Sequence, residues 1–219
     1  MRERYLKQLK LVHDDLLRMG SRVEHSLADA MRALARWDTA LARQVIAGDQ
    51  EIDTARTAIE EAVLDLLAIQ QPVLATDLRT LNATIAIAGE LERAGDYAKG
   101  IAKRVERCLH APALLEPPAG LHRMGALAQG MLHTTLDAFV RLDVELARSL
   151  AIEDERVDEL EDQVVAEVMN AARQDAAKLD CAIYLLDVAH TLERLADRTT
   201  NIAERVIFIA TNVVEQLNA

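Results

Sequence analysis

The chain repeats itself at long period. Leu91-Glu92-Arg93-Ala94-Gly95-Asp96 is echoed by Leu192-Glu193-Arg194-Leu195-Ala196-Asp197, and Ile101-Ala102-Lys103-Arg104-Val105 by Ile202-Ala203-Glu204-Arg205-Val206, both at an offset of 101. Earlier in each half the offset is 105. Arg18-Met19-Gly20 falls on Arg123-Met124-Gly125, Asp38 on Asp143, Leu41-Ala42-Arg43 on Leu146-Ala147-Arg148, and Asp49 and Asp53 on Asp154 and Asp158. The first half therefore carries four extra residues near Gln71-Pro72-Val73-Leu74, where a turn between helices tolerates a length change. Whatever one half folds into, the other must fold into as well.

Aromatic residues make up only 3% of the chain while 51% is hydrophobic. That balance favours helices packed on helices over a sheet. Apolar residues recur at helical spacing from about Tyr5 to Trp37. Asp38 then reads as the N-cap of a second helix running to Gln70, with Pro72 beyond its stop. A third helix runs from about Thr76 to Leu109. The equivalents in the second half are 119–141, 143–174 with Asp143 as cap, and 179–217. Pro112, Pro117 and Pro118 interrupt any helix between the halves. The expected fold is all-α: two tandem three-helix up-down-up bundles, residues 1–110 and 120–219, joined by a proline-rich linker at 111–119. Helices of this length reach about 50 Å at ~1.5 Å per residue.

The net charge of −11, with no Lys/Arg cluster, argues against nucleic acid and against anionic lipid as direct ligands. No apolar run approaches the ~18 residues of a membrane span. The opening Met1-Arg2-Glu3-Arg4 has no signal-peptide character, so a cytoplasmic protein is expected. Cys108 and Cys181 stand alone, outside any C-x-x-C spacing, and read as small core residues in a reducing compartment.

Carboxylates four apart share a helix face. Random placement of 36 acids would give roughly six such pairs, and the chain has seven, so number alone decides nothing. Position does. Asp49/Asp53 and Glu92/Asp96 lie about equally far from the turn near Val73, so an antiparallel hairpin brings them level. Asp154/Asp158 and Glu193/Asp197 flank the turn near Ala176 in the same way. Each set would gather four carboxylates. A like-charge contact at ~6 Å costs roughly 0.7 kcal/mol in a water-like medium and nearer 3 at an effective dielectric of ~20. Arginines such as Arg43 and Arg148, or metal ions, must neutralise them. Oxygen-only ligands suit Mg, Mn or Fe. Asn201 and Glu204 extend the second stripe, whereas Gly100 and Lys103 stand at those places in the first. Lys103 would act as a built-in counter-ion, so the second bundle is the better metal candidate. Gly89, Gly95 and Gly100 within one helix point to close packing, with backbone approach by a partner as the alternative.

The histidines, His13, His25, His110, His122, His133 and His190, are scattered. No Glu-x-x-His motif of the ferritin-like kind occurs, the nearest being Asp187-x-x-His190. No phosphate loop or nucleophile elbow is present. The chain is read as a non-enzyme.

These residues resemble the PhoU family. The resemblance rests on Arg18-Met19-Gly20, Gly48-Asp49-x-x-Ile52-Asp53, and Gln70-Gln71-Pro72 followed by Asp77-Leu78-Arg79. It rests further on Glu92-Arg93-Ala94-Gly95-Asp96-Tyr97-Ala98-Lys99, on Glu193-Arg194-x-x-Asp197, and on Thr200-Asn201-Ile202-Ala203-Glu204. It implies surface metal sites, able to hold multinuclear clusters of divalent or trivalent Fe, Mn, Mg or Zn, at Asp49, Asp53, Glu92, Asp96, Asp154, Asp158, Glu193, Asp197, Asn201 and Glu204. It implies a negative regulator of phosphate uptake and phosphate-starvation signalling. The partners implied are the phosphate ABC-transporter ATPase subunit, a sensor histidine kinase and a second copy in a homodimer, at the inner membrane through proteins and without insertion. Tyr97 and Arg198 depart from the family's frequent His after the motif Asp. A metal-buffering bundle and a metal-free helical adaptor are the competing readings.

Overall fold

The computed structural model describes residues 2–69 and 73–217. Gln70, Gln71 and Pro72, where the second helix was expected to stop, lie outside the described residues. Among the described residues six long helices carry the chain: α1 (Arg2–Arg36), α2 (Thr39–Ile69), α3 (Ala75–Cys108), α4 (Ala119–Arg141), α5 (Val144–Gln174) and α6 (Leu179–Thr211), with a 3-10 turn at Ala176–Lys178. No strand occurs among the described residues, and no helix there is long and apolar enough to cross a membrane. α1–α3 form one three-helix bundle and α4–α6 the other.

The two first turns are built alike. Trp37 and Leu142 both take left-handed backbone, at φ 53° and 50°. The next amide bonds back into the helix, Asp38 to the Ala33 carbonyl at 2.9 Å and Asp143 to that of Ala138 at 3.0 Å. That pattern closes a helix C-terminus. Asp38 and Asp143 then cap the following helix, accepting from Leu41 N and Leu146 N, each at 3.0 Å.

The halves are joined by more than a linker. α3 packs on α6 as extensively as any helix pair within a bundle, and α1 packs on α4, so one hydrophobic core runs through both halves. The repeated Arg-Met-Gly lies at the second contact. A Cβ on Gly20 would meet Leu136 Cδ1 at 2.7 Å, and a Cβ on Gly125 would meet Met31 Cε at 2.5 Å. Gly20 and Gly125 are equivalent at the offset of 105, as are Met31 and Leu136. Two helices therefore cross about a pseudo-two-fold axis, each offering a glycine to the other's large side chain.

Close packing explains only one of the three glycines in α3. At Gly95 a Cβ would lie 2.9 Å from Ile52 Cδ1 of α2, but at Gly89 it would meet nothing and at Gly100 only the Arg104 side chain. α6 also ends earlier than its apolar pattern suggests. Asn212 turns left-handed at φ 62°, and the tail folds back, so that Leu217 N donates to Glu204 Oε1 at 2.9 Å.

Candidate metal centre

In the first bundle Lys99 and Arg56 pair with Asp49, Asp96 and Glu92. Asp49 is 3% exposed, and Lys99 of α3 pairs with it while reaching Asp96 Oδ1 at 3.4 Å. Arg56 donates to Glu92 at 3.0 Å and to Glu60 at 2.9 Å. Asp53 lies on the same helix, half-buried. The counter-ions are Lys99 and Arg56, not those expected: Arg43 pairs with Glu106 at 2.8 Å, and Lys103 is exposed. Lys99 works because it follows Asp96 by three residues and its long stem reaches across to α2, which Gly95 brings close.

The second bundle gathers the same four carboxylates with different partners, Arg198 at Asp197 and His190 at Glu193. Asp154 and Asp158 stand on α5, Glu193 and Asp197 on α6. Burial, then repulsion from Asp197, Asp158 and Glu193, pushes Asp154 up to about 7. Burial and Asp197 raise Asp158, and burial and Asp197 raise Glu193. Arg148 is turned away, paired with Glu215 at 2.7 Å and Glu145 at 2.6 Å. Arg198 comes within 3.7 Å of Asp197 but also bonds Glu90 of α3 at 3.2 Å.

One turn along, the set acquires a nitrogen. His190 Nδ1 is 3.5 Å from Glu161 Oε1 and 3.3 Å from Glu193 Oε2. That Glu193 oxygen is buried and makes no hydrogen bond. One ligand atom each from Glu161, His190 and Glu193 lie within 4.8 Å of one another. An imidazole with carboxylates suits Zn, Mn or Fe better than Mg, and a cation there would satisfy the orphaned oxygen.

Asn201 and Glu204 face elsewhere. Asn201 Nδ2 approaches Glu90 Oε2 on α3 at 3.5 Å. Glu204 is engaged by the tail, whose Glu215 is anchored by Arg148. Both lie on the stripe of α6 below Asp197, but their side chains are committed to α3 and to the C-terminal segment.

Sequence reasoning passed over Arg56, Lys99, Glu161 and His190. The signal was the repeat itself, applied to the neighbours of the motif. At the offset of 105 Arg56 corresponds to Glu161. At the offset of 101 Lys99 corresponds to Thr200 and Gly89 to His190. The two bundles share their acids and differ in what stands beside them.

A family model described as the PhoU domain matches the chain twice, over residues 16–105 and 121–206. The chain is 35% identical over 217 residues to the phosphate-specific transport system accessory protein PhoU homolog of Clostridium acetobutylicum, covering 99% of each chain. It is 32% identical over 204 residues to the phosphate-specific transport system accessory protein PhoU of Escherichia coli K12, covering 92% of this chain and 83% of that one. Among solved structures, it superposes on the phosphate transport system regulatory protein PhoU from Streptococcus pneumoniae with a TM-score of 0.88 and 30% identity, over 97% of this chain and 99% of that one. It superposes on PhoU from Pseudomonas aeruginosa with a TM-score of 0.87 and 33% identity, over 95% and 100%.

Proposed function

The chain belongs to the PhoU family, and on that premise we propose that it is a non-enzymatic negative regulator of phosphate uptake and phosphate-starvation signalling. It couples the ATPase subunit of the phosphate ABC transporter to a sensor histidine kinase, as a cytoplasmic homodimer held at the inner membrane by those proteins. The observation that carries this reading is the match over nearly the full length of relatives that are themselves phosphate transport accessory proteins. The absence of a membrane-spanning helix among the described residues agrees with attachment through partners.

The metal centre belongs to the second bundle. Asp154, Asp158, Glu193 and Asp197, with Glu161 and His190 beside them, would hold one or more Fe, Mn or Zn ions. A bound cation would supply the charge that Arg56 and Lys99 supply in the first bundle, and would tie α5 to α6. The contrast in counter-ions supports this division.

The regulatory reading is tested by immobilising the full chain and offering the transporter ATPase and the sensor kinase from the same cell. Specific retention of both is expected. Retention of neither, with folded protein on the support, would contradict it.

A further inference from the structure

The chain has two cysteines, and they meet. Cys108 ends α3 and Cys181 lies at the start of α6, on opposite bundles and 73 positions apart. Both are fully buried. Their Sγ atoms are 3.0 Å apart and share a hydrogen bond. Two backbone carbonyls bracket the pair: Cys181 O at 3.7 Å from Cys108 Sγ, and Leu115 O of the linker at 3.9 Å from Cys181 Sγ. Among the described residues the pair belongs to no cluster of three metal-ligating side chains. A metal site is therefore a poor account of it. Small core residues would account for each cysteine singly, but alanine fills that role along the rest of both helices.

We propose that Cys108 and Cys181 are a reversible redox pair, oxidised by hydrogen peroxide to an intramolecular disulfide that staples α3 to α6. One thiol ionises, and the thiolate attacks a peroxide oxygen, giving a sulfenic acid and hydroxide. The second thiol attacks the sulfenyl sulfur, and water leaves as the S–S bond forms. Overall the two thiols lose two electrons and two protons, and peroxide becomes two waters.

The hydrogen bond between the sulfurs prepares the first step. It stabilises a thiolate on the sulfur that accepts it, although burial opposes ionisation. Whichever sulfur ionises attacks, and the other, 3.0 Å away, resolves. The sulfurs must close by about 1 Å to reach a disulfide length of ~2.0 Å. Peroxide is small and uncharged, and transient opening of the helix ends is the route it would take to the buried pair. In a reducing compartment such a pair rests as dithiol and bridges transiently. The bridge would lock the two bundles together directly beneath the linker that joins them.

The test exposes the reduced full chain to hydrogen peroxide, unfolds it with an alkylating agent present, and reads the intact mass. The expected result is a monomer lighter by about 2 Da, unalkylated, and restored by dithiothreitol. Its melting temperature should rise by on the order of 10 °C over the reduced protein, as a loop of this length implies. Cys108→Ser and Cys181→Ser, each leaving one thiol beside a hydroxyl donor, should form no intramolecular bridge, and at least one should halt at a sulfenic acid that dimedone traps. Two alkylated cysteines after peroxide that fully oxidises free cysteine would overturn the proposal. So would a product bridged only between two chains, or a pair of serine variants neither of which accumulates a sulfenic acid.

Discussion

Arg56 and Glu161 hold the same place in the two repeats and carry opposite charge. Arg56 reaches Glu92 at 3.0 Å. Glu161 lies across from Glu193, the equivalent of Glu92, with His190 between them. Lys99, which pairs with Asp49, is replaced by the neutral Thr200 at the equivalent place. The duplicated acids are thus a common frame, with Arg56 and Lys99 beside them in one bundle and Glu161, His190 and Arg198 in the other.

Restoring the cation should convert the second bundle to the state of the first. Glu161→Arg is expected to pair with Glu193, and to stabilise the metal-free protein by about 1 kcal/mol. It should also abolish any rise in melting temperature on adding Mn or Zn. Thermal melts of wild type and variant, with and without metal, check both effects.

Acid should stabilise the metal-free protein across one window. Asp154 is raised to about 7 from an ordinary 3.8. Its stabilising contribution is therefore fully present below the usual carboxylate range and is lost as pH rises through about 7. His13 acts in the opposite sense, because burial lowers it and stability falls as it is forced to charge. Comparison with Asp154→Asn removes that background. Relative to the variant, the wild type should lose about 1 kcal/mol between pH 5.5 and 8, after allowance for solvent screening. Urea melts at the two pH values measure it.

In the first bundle the cation is structural. Lys99→Met leaves the carboxylate of Asp49, only 4% exposed, without its partner. This should cost about 2–3 kcal/mol and lower the melting temperature by roughly 5–10 °C. Adding Asp49→Asn should recover more than half of the loss, which a lost packing contact alone would not do.

The pseudo-two-fold crossing of α1 and α4 should tolerate its two glycines unequally. Gly20→Ala drives a methyl into both Cδ atoms of Leu136 and to within 3.3 Å of Cγ. A cost of about 1–3 kcal/mol is expected. Gly125→Ala meets first the terminal methyl of Met31, which has more freedom to swing aside, and should cost about half as much. Chemical denaturation of the two variants gives the comparison.

Helix number, the paired turns and the duplicated caps were legible because each depends on local chemistry. Asp38 and Asp143 cap wherever the chain turns, and apolar spacing orients each helix. The end of α6 was not legible in the same way. Val213 and Val214 continue an apolar pattern, yet Asn212 takes left-handed backbone and the Leu217 amide finds Glu204. The counter-ions were hidden for another reason. Lys99 and Arg56 reach their acids across a helix pair, and which long side chain does so depends on the separation set by Gly95 and Ile52. His190 escaped notice because it was weighed against a motif on one helix, whereas Glu161 stands on another.

Metal is expected in the second bundle and not in the first. The most direct test of this expectation mutates the doubled motif in each copy and measures the metal that co-purifies without chelator. Glu193→Gln with Asp197→Asn should lose nearly all bound metal, while Glu92→Gln with Asp96→Asn keeps the wild-type amount. Equal loss from both variants, or loss from the first-bundle variant alone, would contradict it.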